Sequence, residues 1–225
     1  MKRPGVLAFD LYGTLVDPVA AGSELGRLLG GAAGAAAAGP WRQKQLEYSF
    51  RLTAMGRYED FRWVTARALD FTLASLGARL PDGQAQRLVE LYDHLPPFPD
   101  AGPALRALAD LGYELAVFSN GTTAMIGNCL GNSGLAAFFD QRISVDDVRA
   151  FKPSPIVYRY AAERLSVPLG QVRLVTSNAF DCVGAEAAGM GTAWVNRSGA
   201  PFDTIGAQPG LTVPALDRLP AALAA

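Results

Sequence analysis

The chain has 225 residues, is half hydrophobic and carries a net charge of −1, so it can bury a sizeable core and gives no electrostatic case for binding nucleic acid or an anionic membrane surface. Its two cysteines, Cys129 and Cys182, sit in unrelated contexts outside any metal-ligand pattern and read as free thiols of a reducing compartment. The N-terminus lacks the apolar region and cleavage signal of a secretory leader, and no apolar run is long enough to span a bilayer, so the expectation is a soluble cytoplasmic protein.

The first apolar run, Val6-Leu7-Ala8-Phe9, reads as a buried parallel strand with Asp10 at its carboxyl end, where open α/β sheets place their ligands. Gly13 then permits a sharp turn and Thr14 adds a hydroxyl. Residues 17–97 read as helical, with no convincing strand. The Gly/Ala run 30–39 reads as a loose connection, and a helix is expected to start at Pro40, with Arg42, Leu46 and Phe50 on one face. A second helix is expected over 60–76, with Phe61, Val64 and Ala68 on one side. A third should follow Asp82, a candidate N-cap, and carry Leu88, Leu91 and Leu95. Trp63 and Trp194 read as packing residues, Trp41 as the start of a cap helix, and the single histidine, His94, as structural or exposed.

Pro96-Pro97-Phe98-Pro99 reads as a linker, after which strand and helix alternate. A helix at 103–111 closes at Gly112, and strands are expected at 115–118, 142–145, 172–175 and 192–195, with a helix at 155–165. This alternation predicts an α/β fold: a doubly wound parallel-sheet, Rossmann-like core (1–16 and 98–225) with an inserted helical cap domain (17–97) over the carboxyl ends of the strands.

Each expected strand ends in polar residues: Asp10, Tyr12 and Thr14; Ser119 and Asn120; Ser177, Asn178 and Asp181. Lys152 lies just before a helix. In a parallel sheet these ends share one edge, so the groups can meet in one pocket. Asp10 is the candidate nucleophile, since a carboxylate can attack carbon or phosphorus to form an ester that water later cleaves. Lys152 could balance Asp10 and Asp181, and the donors around Ser119 and Asn120 suit an anion. Taken singly, Ser-Asn-Gly is a common turn and Lys152 a common surface lysine.

Together these segments resemble the haloacid dehalogenase superfamily over nearly the whole chain. Phosphatases of that superfamily usually carry a second aspartate two residues after the nucleophile and an acidic pair in the last motif that binds magnesium. Here Tyr12 stands at the first position, and Ser177-Asn178-Ala179-Phe180-Asp181 offers one carboxylate at the second. Two carboxylates beside a lysine make a poor site for a hard divalent cation, so no cofactor or metal is expected. The match extends to the L-2-haloacid dehalogenase branch through Phe9-Asp10 to Thr14, the cap segment from Trp41 to Tyr48, Phe118 to Gly121, Lys152-Pro153 with Tyr158, and the segment from Ser177 to Asp181.

The resemblance implies that Asp10 attacks the halogen-bearing carbon with inversion. Halide then leaves toward Arg42 and Asn120 beside Phe180. Ser119 and the backbone near Leu11 and Tyr12 hold the substrate carboxylate. Lys152 pairs with Asp181, and Asp181 with Asn178 positions or activates the hydrolytic water. Thr14, Ser177 and Tyr158 give supporting hydrogen bonds, while Tyr12, Gln43, Leu46 and Phe61 wall the substrate side chain. It also implies a homodimer formed largely through the cap. Thr176 replaces a common serine, and Phe180 a tryptophan found in some members. Competing expectations are a magnesium-dependent phosphatase of the same superfamily and a non-catalytic protein that binds a small anion.

Overall fold

The computed structural model of the chain describes residues 5–224. Residues 1–4 and 225, which end the expected core segments and include part of the stretch read for a leader, lie outside the described residues. Six strands form one parallel sheet: β1 (Val6–Phe9), β2 (Glu114–Ser119), β3 (Gln141–Ser144), β4 (Val172–Thr176), β5 (Gly191–Val195) and β6 (Thr212–Val213). The spatial order is β3-β2-β1-β4-β5-β6. All four β1 residues are buried, as a central strand covered on both faces requires. Phe9 pairs with Val117 of β2 and Val175 of β4, so Asp10 emerges at the middle of the sheet edge. The chain builds outward from β1 to β3, then returns to β4 on the other side of β1. That reversal opens the crevice in which such sheets bind ligands.

The core helices are α5 (Ala101–Asp110), α6 (Thr123–Asn132), α7 (Pro155–Arg164), α8 (Ala179–Ala188) and α9 (Leu219–Ala224). Between β1 and α5 stand α1 (Val19–Leu29), α2 (Gly31–Ala54), α3 (Phe61–Ser75) and α4 (Gln84–Glu90). The chain leaves and re-enters the core side by side. The Asp17 amide donates to the Pro96 carbonyl and the Phe98 amide to the Leu15 carbonyl, each at 2.9 Å. No helix among the described residues is long and apolar enough to cross a membrane.

Several expectations for this inserted block are corrected. The Gly/Ala run is not a loose connection: α2 begins at Gly31 and continues through Pro40. Alanine is the strongest helix former, and Gly39 has no Cβ to meet the proline ring, so the usual block before proline is weak. The same small residues let α1 and α2 touch, because a Cβ on Gly34 would stand 2.2 Å from the Gly26 carbonyl oxygen. Gly34→Ala is therefore expected to destabilise by about 1–3 kcal/mol, overriding the roughly 1 kcal/mol that alanine gains in a helix. A denaturation midpoint equal to or above the wild type would contradict this.

The buried stripe of α2 is Trp41, Gln45 and Ser49; Arg42, Leu46 and Phe50 form a half-buried neighbouring face. Gln45 is buried because its amide donates to Thr65 Oγ1 at 2.6 Å, while Trp41 Nε1 donates to the Thr65 carbonyl at 3.0 Å. Asp60 caps α3 through the Trp63 amide, but Gly83, not Asp82, precedes α4. Trp63 is exposed rather than a packing residue, whereas Trp41 and Trp194 are buried and His94 is exposed. The block docks on the core beside Lys152: Tyr58 stacks on Phe151 at 5.2 Å, and the Phe151 amide donates to Thr53 Oγ1 at 3.0 Å. β6 was not expected; two residues carry no readable periodicity.

Candidate active site

Asp10 is buried, and its two carboxylate oxygens are treated differently. Oδ2 accepts from Asn178 Nδ2 at 2.7 Å, Thr14 Oγ1 at 3.0 Å and Thr176 Oγ1 at 3.3 Å. Oδ1 accepts from the Lys152 ammonium at 3.3 Å. The donors come from the turn after β1 and from the end of β4, the strand beside β1, so sheet order brings them together. Asn178 Nδ2 also reaches the Tyr12 carbonyl at 3.2 Å, tying the two turns.

Lys152 is 1% exposed, and its three N–H groups are spent on the Asp181 carboxylate and the Phe118 carbonyl, both at 2.8 Å, and on Asp10. The ammonium also lies over the Phe118 ring, 4.1 Å from its centroid. Burial works against the Lys152 charge, but the two carboxylates outweigh it and raise its pKa above the usual lysine value. Asp181 is pushed up by burial and by Asp10, against the pull of Lys152 and Tyr158. Tyr158 Oη donates to Asp181 Oδ1 at 2.8 Å and is itself held well above the ordinary phenol value by burial and the Asp181 charge. The cluster thus shares one cation between two carboxylates. That donor set disfavours a divalent ion, since only two carboxylates meet here and both are already engaged by the ammonium. Among the described residues, no group of three or more His, Cys, Asp or Glu side chains could hold a metal.

Ser119 is buried at the end of β2 and accepts from the Gly121 amide at 3.1 Å. Asn120 Oδ1 accepts from the Lys152 amide at 3.0 Å, which leaves its side-chain nitrogen for another acceptor. The Ser177 amide donates to Thr14 Oγ1 at 2.9 Å. Leu11 is buried, and the Leu11 and Tyr12 amides donate to no partner among the described residues. The Tyr12 hydroxyl is likewise buried without a partner there.

The residues of the inserted helices assemble differently from expectation. Arg42 makes its hydrogen bond to Gln45 Oε1, at 2.5 Å, rather than to a strand-end residue. Gln43 is exposed, and the expected wall of Tyr12, Gln43, Leu46 and Phe61 divides in two. Tyr12 and Phe61 stack at 5.6 Å, both buried. Gln43, Leu46 and Arg42 instead line, with Trp41 and Tyr92, an apolar cavity of about 410 Å³. Tyr92 joins the halves, with its ring 5.5 Å from that of Tyr12 and its hydroxyl 3.4 Å from Gln45 Oε1. Half-buried Phe180 meets Phe50 of α2 edge-on at 5.1 Å. Three polar groups were given no role from the sequence: Thr176, noted there only as replacing a serine, Gln45 and Arg197. Thr176 was visible as a hydroxyl at the end of a strand; nothing local marked the other two.

The parallel sheet, its strand-end carboxylates and the helical insertion define a hydrolase of the haloacid dehalogenase type. Residues 5–189 match the family model described as haloacid dehalogenase-like hydrolase, and the chain belongs to that family. It is 40% identical to haloacetate dehalogenase H-2 of Moraxella sp. (strain B), over 97% of both chains. It is also 40% identical to an (S)-2-haloacid dehalogenase of Pseudomonas putida, over 93% of this chain and 92% of the relative. A solved L-2-haloacid dehalogenase from Xanthobacter autotrophicus with chloropropionic acid covalently bound superposes with a TM-score of 0.89 at 36% identity, covering 96% of this chain and 97% of the other.

Proposed function

We propose that this chain hydrolyses the carbon–halogen bond of short L-2-haloacids, haloacetates included, to 2-hydroxyacids through an ester on Asp10. The observation that carries the reading is the unequal treatment of the Asp10 oxygens. Three donors occupy Oδ2 and orient the carboxylate, while Oδ1 has only the 3.3 Å contact to Lys152 and keeps lone pairs for attack.

Oδ1 attacks C2 from the side opposite the halogen, the carbon–halogen pair leaves as halide, and C2 inverts. Halide needs no proton to depart, so the tyrosine at position 12 costs nothing, whereas a phosphate ester would lack its acid. Ser119 with the Leu11 and Tyr12 amides suits the substrate carboxylate. Arg42 and the Asn120 amide, beside Phe180, suit the departing halide. Water then adds to the Asp10 carboxyl carbon, passing a proton to Asp181 positioned with Asn178. The acyl–oxygen bond breaks as Asp181 returns that proton to the departing alkoxide, which frees the 2-hydroxyacid, and the regenerated Asp10 carboxyl ionises with loss of its proton to solvent. Tyr12 and Phe61 form the inner wall facing the substrate side chain, with Leu46 and Gln43 on the outer wall beyond Tyr92.

In this reading residues 17–97 are the cap that excludes water from the first step, on a core of residues 1–16 and 98–225. The working form is a homodimer in the cytoplasm, with no role for nucleic acid or membrane. Incubation with L-2-chloropropionate and EDTA should release chloride and the D-hydroxyacid. Absence of halide from every 2-haloacid and haloacetate tested, or phosphate release that depends on magnesium, would overturn the assignment.

The raised Asp181 pKa sets a pH dependence. The base must be ionised, so activity is lost as pH falls through its pKa, and the acid limb lies above the ordinary aspartate value. Tyr158→Phe removes a hydrogen bond that favours the ionised form. Its limb should move to higher pH. An unmoved limb in the kcat profile would exclude Asp181 as the base.

A further inference from the structure

Beside the nucleophile turn, one guanidinium gathers three strand-end loops. Arg197 follows β5, and all five of its N–H groups have acceptors. Nη2 donates to the Thr14 carbonyl at 2.9 Å, and Nη1 to Ser177 Oγ at 3.0 Å and the Gly13 carbonyl at 3.4 Å. The remaining pair grips Asp100 side-on, Nε to Oδ2 at 2.9 Å and Nη2 to Oδ1 at 2.8 Å. Asp100 is fixed in turn by the Leu216 amide at 2.8 Å, and the Phe98 ring lies 4.0 Å from the guanidinium. Burial opposes the Asp100 charge, but Arg197 and the Leu216 amide hold its carboxyl below the usual range.

Of the residues that Arg197 holds, Thr14 aims Asp10 directly and Ser177 does so through Thr14. Thr14 Oγ1 donates to Asp10 Oδ2 and accepts from the Ser177 amide. Rotation of the Gly13–Thr14 turn, which Gly13 makes at φ +89°, would therefore move one of the three donors that hold Oδ2 and orient the carboxylate. A planar fork with five donors can hold two carbonyls, a hydroxyl and a carboxylate at once; a lysine has three donors and one charge centre. Phe98 and Asp100 begin the segment by which the chain returns from the inserted helices, so the same side chain joins the nucleophile turn to that hinge.

We propose that Arg197, braced by Asp100, is a positioning residue for the nucleophile, setting the angle of the Thr14 turn from which Asp10 attacks. This rests on the dehalogenase reading, and it goes beyond that reading in giving ester formation a determinant that touches no substrate. An error of an ångström in an attacking atom costs rate rather than binding.

The test is steady-state and single-turnover kinetics on L-2-chloropropionate with R197M, R197K and D100N, alongside thermal melts. R197M should lose about tenfold to a hundredfold in kcat and in the rate of ester formation. Its KM should stay within about threefold, because the contacts proposed for the substrate carboxylate are untouched. R197K should recover part of the loss, and D100N should show a smaller loss of the same kind. Added guanidinium ion should partly restore R197A, since it can take the place the side chain vacates between the Thr14 carbonyl, Ser177 Oγ and the Asp100 carboxylate. Wild-type kcat in R197M and R197K, whatever their melting points, would overturn the proposal. If R197M does not fold, wild-type kcat in both D100N and S177A would do the same. Absence of halide from the wild type would overturn the dehalogenase reading and this assignment with it; turnover by the wild type with undiminished kcat in the variants would overturn the assignment alone.

Discussion

Asp10→Asn should lower halide release by about 10⁴-fold or more, the scale of loss when a nucleophile is removed from a group that acts as a unit. The variant should remain folded. Its amide oxygen can still accept from Asn178, Thr14 and Thr176, and Lys152 keeps the Asp181 carboxylate and the Phe118 carbonyl. The site also sheds a charge, for two buried carboxylates share one ammonium in the wild type. That excess negative charge stabilises nothing in the fold and is tolerated because the chemistry requires it. Halide release measured by ion chromatography beside a thermal melt separates the two effects. A kcat within tenfold of wild type would remove Asp10 from the nucleophile's role.

Lys152→Met is expected to abolish activity and to destabilise the protein by about 3–5 kcal/mol, the cost of leaving a buried charge without its partner. At this chain length that corresponds to a melting point lower by roughly 10 °C. Asp10 and Asp181 would then face each other without the intervening cation, so one must take up a proton, and stability should worsen as pH rises. Adding Asp181→Asn to Lys152→Met should recover part of the loss, because a single carboxylate remains. The non-additivity measures how much of Lys152's contribution passes through Asp181. Equal melting points for wild type and Lys152→Met would mean that the ammonium does not carry the buried charge.

The strands were legible where four or more apolar residues ran together, as at Val6–Phe9 and at Leu115–Phe118 of β2, because buried parallel strands need nothing else to declare themselves. Their polar ends were legible for the same reason: a carboxylate or hydroxyl that interrupts such a run sits at its margin. The inserted helices were read less well. The stretch from Gly31 to Gly39 carries glycines that punctuate loops elsewhere, and here they are contact points between two helices. Gln45 shows the opposite error: a polar residue on the buried face is invisible to apolar periodicity, and it is buried only because Thr65, twenty residues away, receives its amide.

The sequence by itself determined the α/β alternation, the row of polar strand ends and the presence of Tyr12 where a phosphatase carries its acid. Those are properties of short stretches: hydrophobic period, turn chemistry and residue type at a fixed offset. Tertiary structure decided which of those groups meet. It set Lys152 on Asp10 across 142 residues and Arg197 on Thr14 across 183. The physical reason is that these contacts depend on the order in which strands pair. The reversal that puts β4 beside β1 brings Thr176 and Asn178 to the nucleophile, and no local pattern encodes that neighbour.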